Sequence, residues 1–189
     1  MKALRIVGIV VGALVVLFLA AEAVSSGDMT VSQSIVIDRP AAQIQPLVAD
    51  FVRYNEWQPW KVQDPKAVYT LSSPSSGVGA KMSWEGEVVG TASNTIMSVS
   101  PNEVQYQLVF LKPFQSTFSD FISLQPEGSS TKVTWRNEQA PMGFGMHLMA
   151  GMIKGNLDKE YATGLANLKK LAESQPVAPT DTSSSAAHN

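Results

Sequence analysis

The sequence predicts an α+β domain: an antiparallel sheet packed against a long C-terminal helix, with a separate apolar helix at the N-terminus. Three observations carry that prediction. Residues 68–137 alternate strand-like runs with turn signals, residues 156–173 repeat apolar side chains at helical spacing, and residues 6–21 form an uninterrupted apolar stretch.

The apolar stretch Ile6 to Ala21 follows Lys2 and Arg5. It fits a signal anchor, which needs about 20 mostly apolar residues. It also fits a cleaved signal peptide, because Ala21-Glu22-Ala23 supplies a small-x-small site. Val, Ile and Leu fill most of the run and favour the anchor. Both readings leave the positive charges inside and place the remaining chain outside the cytoplasm. The expected organisation is an anchor or signal over 1–24, a linker over 25–29, one domain over 30–173 and a disordered tail over 174–189. The tail is rich in Ser, Pro, Thr and Ala, with almost no large apolar residue to bury.

Thr30 to Ile37 is β-branched and reads as a strand, which Asp38-Arg39-Pro40 stops. Pro40 is suited to open a helix. Ile44, Leu47, Val48 and Phe51 then recur at helical spacing, and Pro46 predicts a kink or a very short helix. Pro59 biases Gln58 away from the helical region, so a second helical piece ends near Trp57. Trp57 and Trp60 flank that turn and are placed to anchor it to a core.

In the strand region, Ala80 to Val88 alternates cleanly: Lys81, Ser83, Glu85 and Glu87 face one way, Met82, Trp84 and Val88 the other. Val104, Tyr106, Leu108 and Phe110 repeat the pattern, as do Ile122 with Leu124 and Val133 with Trp135. Strands with one wet face and short turns predict an antiparallel meander. Pro141 to Gly155 is rich in Met and Gly and reads as irregular and partly helical. Asn156 to Glu173 reads as an amphipathic helix, with Leu157, Tyr161, Leu165, Leu168 and Ala172 on one face.

Composition removes several function classes. A net charge of −2 lacks the basic footprint that nucleic acid requires. The chain has no cysteine, which excludes disulfides, thiolate catalysis, Cys-ligated zinc, iron–sulfur clusters and lipoprotein anchoring. There are 2 histidines, His147 and His188, and His188 falls in the tail, so neither a Ser-His-Asp set nor a His-rich metal site can be assembled. No cofactor is expected. Gly77-Val-Gly79 lacks the further Gly and Lys of a phosphate loop.

Four segments carry a family resemblance. Asp50 to Trp60 resembles a "D…Y…W.PW" stretch, Gly77 to Gly86 a "G.GA…W.G" strand, Leu124 to Trp135 an "L.P…GT.VTW" hairpin, and Gly164 to Glu173 a "GL..LK…E" helix end. In that order, from about residue 31 to 173, they resemble the polyketide cyclase/dehydrase branch of the START-like (SRPBCC) superfamily. The resemblance implies a helix-grip fold, a curved sheet wrapped around the C-terminal helix, with a hydrophobic small molecule or lipid held between them. Members with an N-terminal membrane segment are familiar in that branch.

On this arrangement the expected ligand-binding residues are Met82, Trp84, Tyr106, Phe110, Ile122, Trp135, Tyr161 and Leu165, with Asn137 as a polar contact and Met146 near the mouth. Gly164 would let the helix backbone approach the sheet or a ligand. Counting back by two from Ile122 and Leu124 turns Asp120 inward with Phe118, unless a bulge intervenes. A desolvated Asp120 is the one candidate acid or base. Asn94 stands second to Asn137 as a polar contact, because the parity of its strand is ambiguous. Three readings stay open: a binder of hydrophobic ligands, a cyclase- or dehydratase-like enzyme using Asp120, and an interaction module whose core is solid.

Overall fold

Pairing of the β-branched runs builds one sheet, and the short helices fill the chain between its first and second strands. The computed structural model describes residues 2–24, 27, 29–113, 115–139, 145 and 147–176. In chain order the elements are α1 (Lys2–Val24), β1 (Ser32–Ile37), α2 (Ala41–Val48), α3 (Phe51–Trp57), α4 (Trp60–Gln63), β2 (Val68–Leu71), β3 (Lys81–Glu85), β4 (Thr91–Val99), β5 (Glu103–Lys112), β6 (Ser116–Glu127), β7 (Ser130–Glu138) and α5 (His147–Ser174). The strands form a curved, fully antiparallel sheet in the order β1-β7-β6-β5-β4-β3-β2, which α5 crosses. Strands β2 to β7 are a meander, and β1 returns to the far edge beside β7.

Each early element ends for a local reason. Pro46 lies inside α2, and the helix ends soon after at Val48. Asp50 caps α3 by accepting from Val52 N at 2.9 Å, the arrangement that satisfies an orphan N–H of a first helical turn. Gln58 takes extended ψ (141°) ahead of Pro59, and α3 ends at Trp57.

Period-2 burial follows the expected parity. Ala92, Asn94 and Ile96 of β4 are buried, as are Val104, Tyr106 and Leu108 of β5, Asp120, Ile122 and Leu124 of β6, and Val133, Trp135 and Asn137 of β7. No bulge interrupts β6, so Asp120 does face inward, paired with Tyr106 on one side and Asn137 on the other. A bulge does occur in β4 between Ile96 and Ser98. It exposes Met97 and explains why the parity of that strand resists reading from sequence.

Several expectations are corrected. Strand β3 ends at Glu85, and Val88 sits exposed on the β3–β4 loop rather than on the inner face. Gly90, with φ +70, closes the loop just before β4, where its carbonyl accepts from Gly86 N at 2.9 Å. Helix α5 starts at His147, not Asn156, so the Met- and Gly-rich run is helical from that point. Met152 is 75% exposed, and Met146 lies outside the described residues, as does the tail beyond Pro176.

Helix α1 stands apart from the sheet, with nearly all its large side chains exposed, and is long and apolar enough to cross a membrane by length and composition. Glu22 ties it to the domain. The buried Glu22 carboxylate accepts from Gly145 N (2.9 Å) and His147 N (3.0 Å), at the start of α5. The His147 ring meets Glu22 O at 2.8 Å. An anion beside the first N–H groups of α5 is favoured by the helix dipole.

Candidate functional site

The inside of the grip is mostly filled by aromatic rings. Trp135, from β7, stacks on Tyr161 of α5 with centroids 4.1 Å apart. It also meets Trp57 edge-on at 5.4 Å, Trp60 at 5.6 Å and Tyr54 at 6.2 Å. Pairs of this kind each add about 0.5–1.5 kcal/mol beyond their buried area. Trp57 donates to Leu47 O at 2.9 Å, and the Tyr106 hydroxyl donates to Val48 O, so α2 is bolted to this cluster. Gly164 permits the close approach of α5: a Cβ there would lie 2.8 Å from the Trp135 ring and 3.2 Å from Pro59 Cδ.

Two spaces remain. The outer one is a cleft of about 190 Å³ between α4, α5 and the β3–β5 end of the sheet. Its walls are Trp60, Trp84, Leu108, Phe110, Leu157 and Tyr161, with Gln63, Glu160, Val88 and Val89 at its margin. The inner one is a chamber of about 10 Å³ bounded by Tyr54, Gln58, Trp60, Tyr69, Met82, Trp84, Asn94 and Leu108. Trp60, Trp84 and Leu108 line both. A larger depression of about 600 Å³ lies outside the grip, where α2 and Arg53 face Ser76 and Val99. It is open to solvent and bordered by Gln43, Gln45, Asp50 and Arg53, unlike the enclosed apolar shape of a small-molecule site.

The cleft walls are held from behind. The Trp60 indole donates to Glu160 Oε2 at 2.6 Å, and Gln63 reaches Glu160 Oε1 at 3.1 Å, which clamps α4 to α5. Asp64 receives Val88 N at 2.8 Å and Val89 N at 3.4 Å, pinning the β3–β4 loop at the cleft margin. Asp64 is covered by the loop it holds, but lies near the protein surface. The hydrogen bond from Val88 leads the backbone contacts that hold its pKa below the ordinary carboxylate value. Gly86 is required beneath it, since a Cβ there would collide with Asp64 Oδ2.

Asp120 sits deeper, 2% exposed. Burial raises its pKa from 3.8 to about 7, against the opposing effects of the Tyr161 hydroxyl and the Trp135 indole. Tyr161 donates to Asp120 Oδ1 at 3.0 Å, whereas the Trp135 N–H makes no hydrogen bond among the described residues. Burial, and then the carboxylate beside it, push the Tyr161 hydroxyl well above its ordinary value. Asp120 borders neither space, so Tyr161 stands between it and anything in the cleft.

The sequence-derived candidates therefore divide. Trp84, Phe110 and Tyr161 line the cleft, and Met82 and Trp84 the chamber. Tyr106, Ile122, Trp135 and Leu165 are packed into the solid core and line neither. Asn137 has its Oδ1 committed to Val31 N at 2.6 Å, where it fixes the entry to β1. Trp60, read from sequence as a turn anchor, is a wall of both spaces, and Asn94 borders the chamber. Leu108, on the alternating face of its strand, and Leu157, on the apolar stripe of α5, complete the cleft walls, and period alone does not separate them from the core residues beside them. Among the described residues no group of three or more His, Asp or Glu is placed to hold a metal ion.

The family model for polyketide cyclase / dehydrase and lipid transport matches residues 28–173. Solved structures share the fold. A protein from Chromobacterium violaceum is 16% identical with a TM-score of 0.59, over 78% of this chain and 99% of that one. A protein from Nitrosospira multiformis is 19% identical with a TM-score of 0.56, over 77% and 97%. One from Mesorhizobium loti is 13% identical with a TM-score of 0.57, over 78% and 99%. None of the curated proteins matches the chain in sequence.

Proposed function

Because the chain belongs to the polyketide cyclase / dehydrase and lipid transport family, we propose that it binds a small hydrophobic molecule in the cleft between α4, α5 and the sheet. The observation that carries this reading is the cleft itself, about 190 Å³ with aromatic and aliphatic walls. That volume is below the ~300–1,000 Å³ usual for drug-sized ligands, so the ligand is small, or only one end of a longer lipid enters. Indole and phenyl walls suit a flat, apolar body.

The geometry favours binding over catalysis. Asp120 titrates near neutrality, as an acid–base group should. Yet it has no surface on the cleft, and the Tyr161 proton between them already points at the carboxyl. Its role in this reading is to hold Tyr161 as a wall. The solid-core alternative describes the inner aromatic cluster, and the cleft lies outside that cluster.

The N-terminal segment, in this proposal, stays attached as a membrane anchor with the domain outside the cytoplasm. Cleavage at Ala21-Glu22-Ala23 would remove the carboxylate that meets Gly145 N and His147 N, leaving the start of α5 without that partner. Native mass spectrometry of the chain, extracted from membranes and released from detergent, tests both parts. A full-length mass with a bound lipid or small apolar molecule, lost in Trp84→Ala, is the expected result. A ligand-free chain with no affinity in a broad lipid and aromatic screen overturns the binding reading. A mass beginning near residue 24 overturns the anchor.

A further inference from the structure

The inner chamber contains polar groups that the fold leaves unanswered. Asn94 is 3% exposed, and its Oδ1 has no hydrogen-bond partner among the described residues. Its neighbours across the sheet are Met82 on β3 and Leu108 on β5, neither of which can donate. The Tyr69 hydroxyl is likewise buried, and among the described residues no well-formed hydrogen bond reaches it. Gln58 lies beside it, with one amide N–H on Asn55 Oδ1 at 2.9 Å and Oε1 accepting from Trp60 N at 3.2 Å; its second N–H is turned to the Tyr69 oxygen, so it is the Tyr69 O–H that is left to donate. Leaving such a group unpaired keeps its full desolvation penalty uncompensated. A leucine at position 94 would avoid that cost, and the amide is free to take a partner that the described residues do not supply.

We propose that the chamber is the polar end of the ligand site, and that it receives a hydroxyl group carried at one end of a flat apolar molecule. This deepens the binding reading above and rests on it. The chamber volume of about 10 Å³ is the space of a single water-sized group. Shared walls at Trp60, Trp84 and Leu108 place it directly behind the cleft. Asn94 and Tyr69 both border the chamber, and a hydroxyl is the group that can donate to the one and accept from the other. A hydrocarbon would leave both unpaired. The preference is thus for a phenol-like or alcohol-terminated ligand over its hydrocarbon counterpart, with its apolar body in the cleft.

The test uses a matched pair of probes, 2-naphthol and 2-methylnaphthalene, which differ by hydroxyl against methyl. Affinities for the full chain in detergent are measured by calorimetry at neutral pH, each referenced to protein-free micelles. The expected result is 2-naphthol binding about tenfold tighter, the equivalent of about 1.4 kcal/mol, with the ratio of the two affinities falling toward one in Asn94→Leu and in Tyr69→Phe. Tyr69→Phe removes one oxygen from a half-buried ring and keeps the test available should Asn94→Leu misfold. Equal affinity of the two probes for the wild-type chain overturns the chamber proposal, the orphans then being met by water alone, and leaves the apolar cleft standing. Binding of neither probe overturns the cleft reading as well. A naphthol preference that survives both substitutions places the hydroxyl elsewhere and overturns the chamber proposal.

Discussion

Asp120→Asn removes a charge that the fold must otherwise bury once the pH passes neutrality. The carboxyl has an ordinary value of 3.8 and rises to about 7 in the folded chain. Between those values the unfolded chain has released the proton and the native chain still holds it. The native state therefore binds more protons, and stability falls as pH rises across the window. The rise spans about three pH units at 1.36 kcal/mol each, or about 4 kcal/mol in total. That stability is fully present below pH ~4 and lost by pH ~7. Asn keeps an acceptor for the Tyr161 hydroxyl and has no proton to lose, so the variant escapes this loss. Urea unfolding of the detergent-solubilised chain at a series of pH values from 4.5 to 8 measures the effect. The difference between variant and wild type is the informative quantity, because the remaining carboxylates, Asp64 and Glu173 included, cancel in it. It should move by about 3 kcal/mol in favour of Asn across that range. Parallel stability curves for the two proteins would mean that Asp120 titrates normally, and that the burial argument is wrong.

Other perturbations follow from the same contacts. Gly164→Ala forces a methyl to 2.8 Å from the Trp135 ring, which stacking on Tyr161 prevents from yielding. Overpacking of about 1–3 kcal/mol outweighs the helix-propensity gain of up to about 1 kcal/mol, and a lowered thermal midpoint checks it. Asp64→Ala frees the Val88 and Val89 amides, so their hydrogen exchange accelerates and the β3–β4 margin of the cleft loosens. In the wild type those two bonds persist through neutral pH and weaken only as the pH drops below the ordinary Asp value, because the Asp64 pKa is held low. Glu22→Ala leaves the start of α5 without its carboxylate partner, and faster exchange at the Gly145 and His147 amides is the expected readout.

The local pattern of this chain made most of the fold legible. Asp50 as a cap, Pro59 as a helix stop, and the alternation through β3, β5, β6 and β7 are each decided within a few residues. Inward orientation of Asp120 followed from counting by two, because no bulge breaks β6. The same count was ambiguous in β4, where the bulge after Ile96 shifts the register, and so Asn94 ranked low.

Sequence alone determined the fold family, the sheet-and-helix architecture, the inward-facing residues and the apolar N-terminal segment. Period-2 and period-3.6 burial are properties of neighbouring residues, and they are written locally. Only the tertiary structure decided which inward residues border empty space and which fill it. Trp135 and Tyr106 face inward just as Trp84 does, but the stacking of α5 on Trp135 closes the space at one end of the grip. At the other end, Asp64 holds the β3–β4 loop and Glu160 holds Trp60 so that a cleft remains. A cavity is what is left when elements distant in sequence fail to meet. Its location depends on how far apart those contacts hold the elements, which no single stretch of chain encodes.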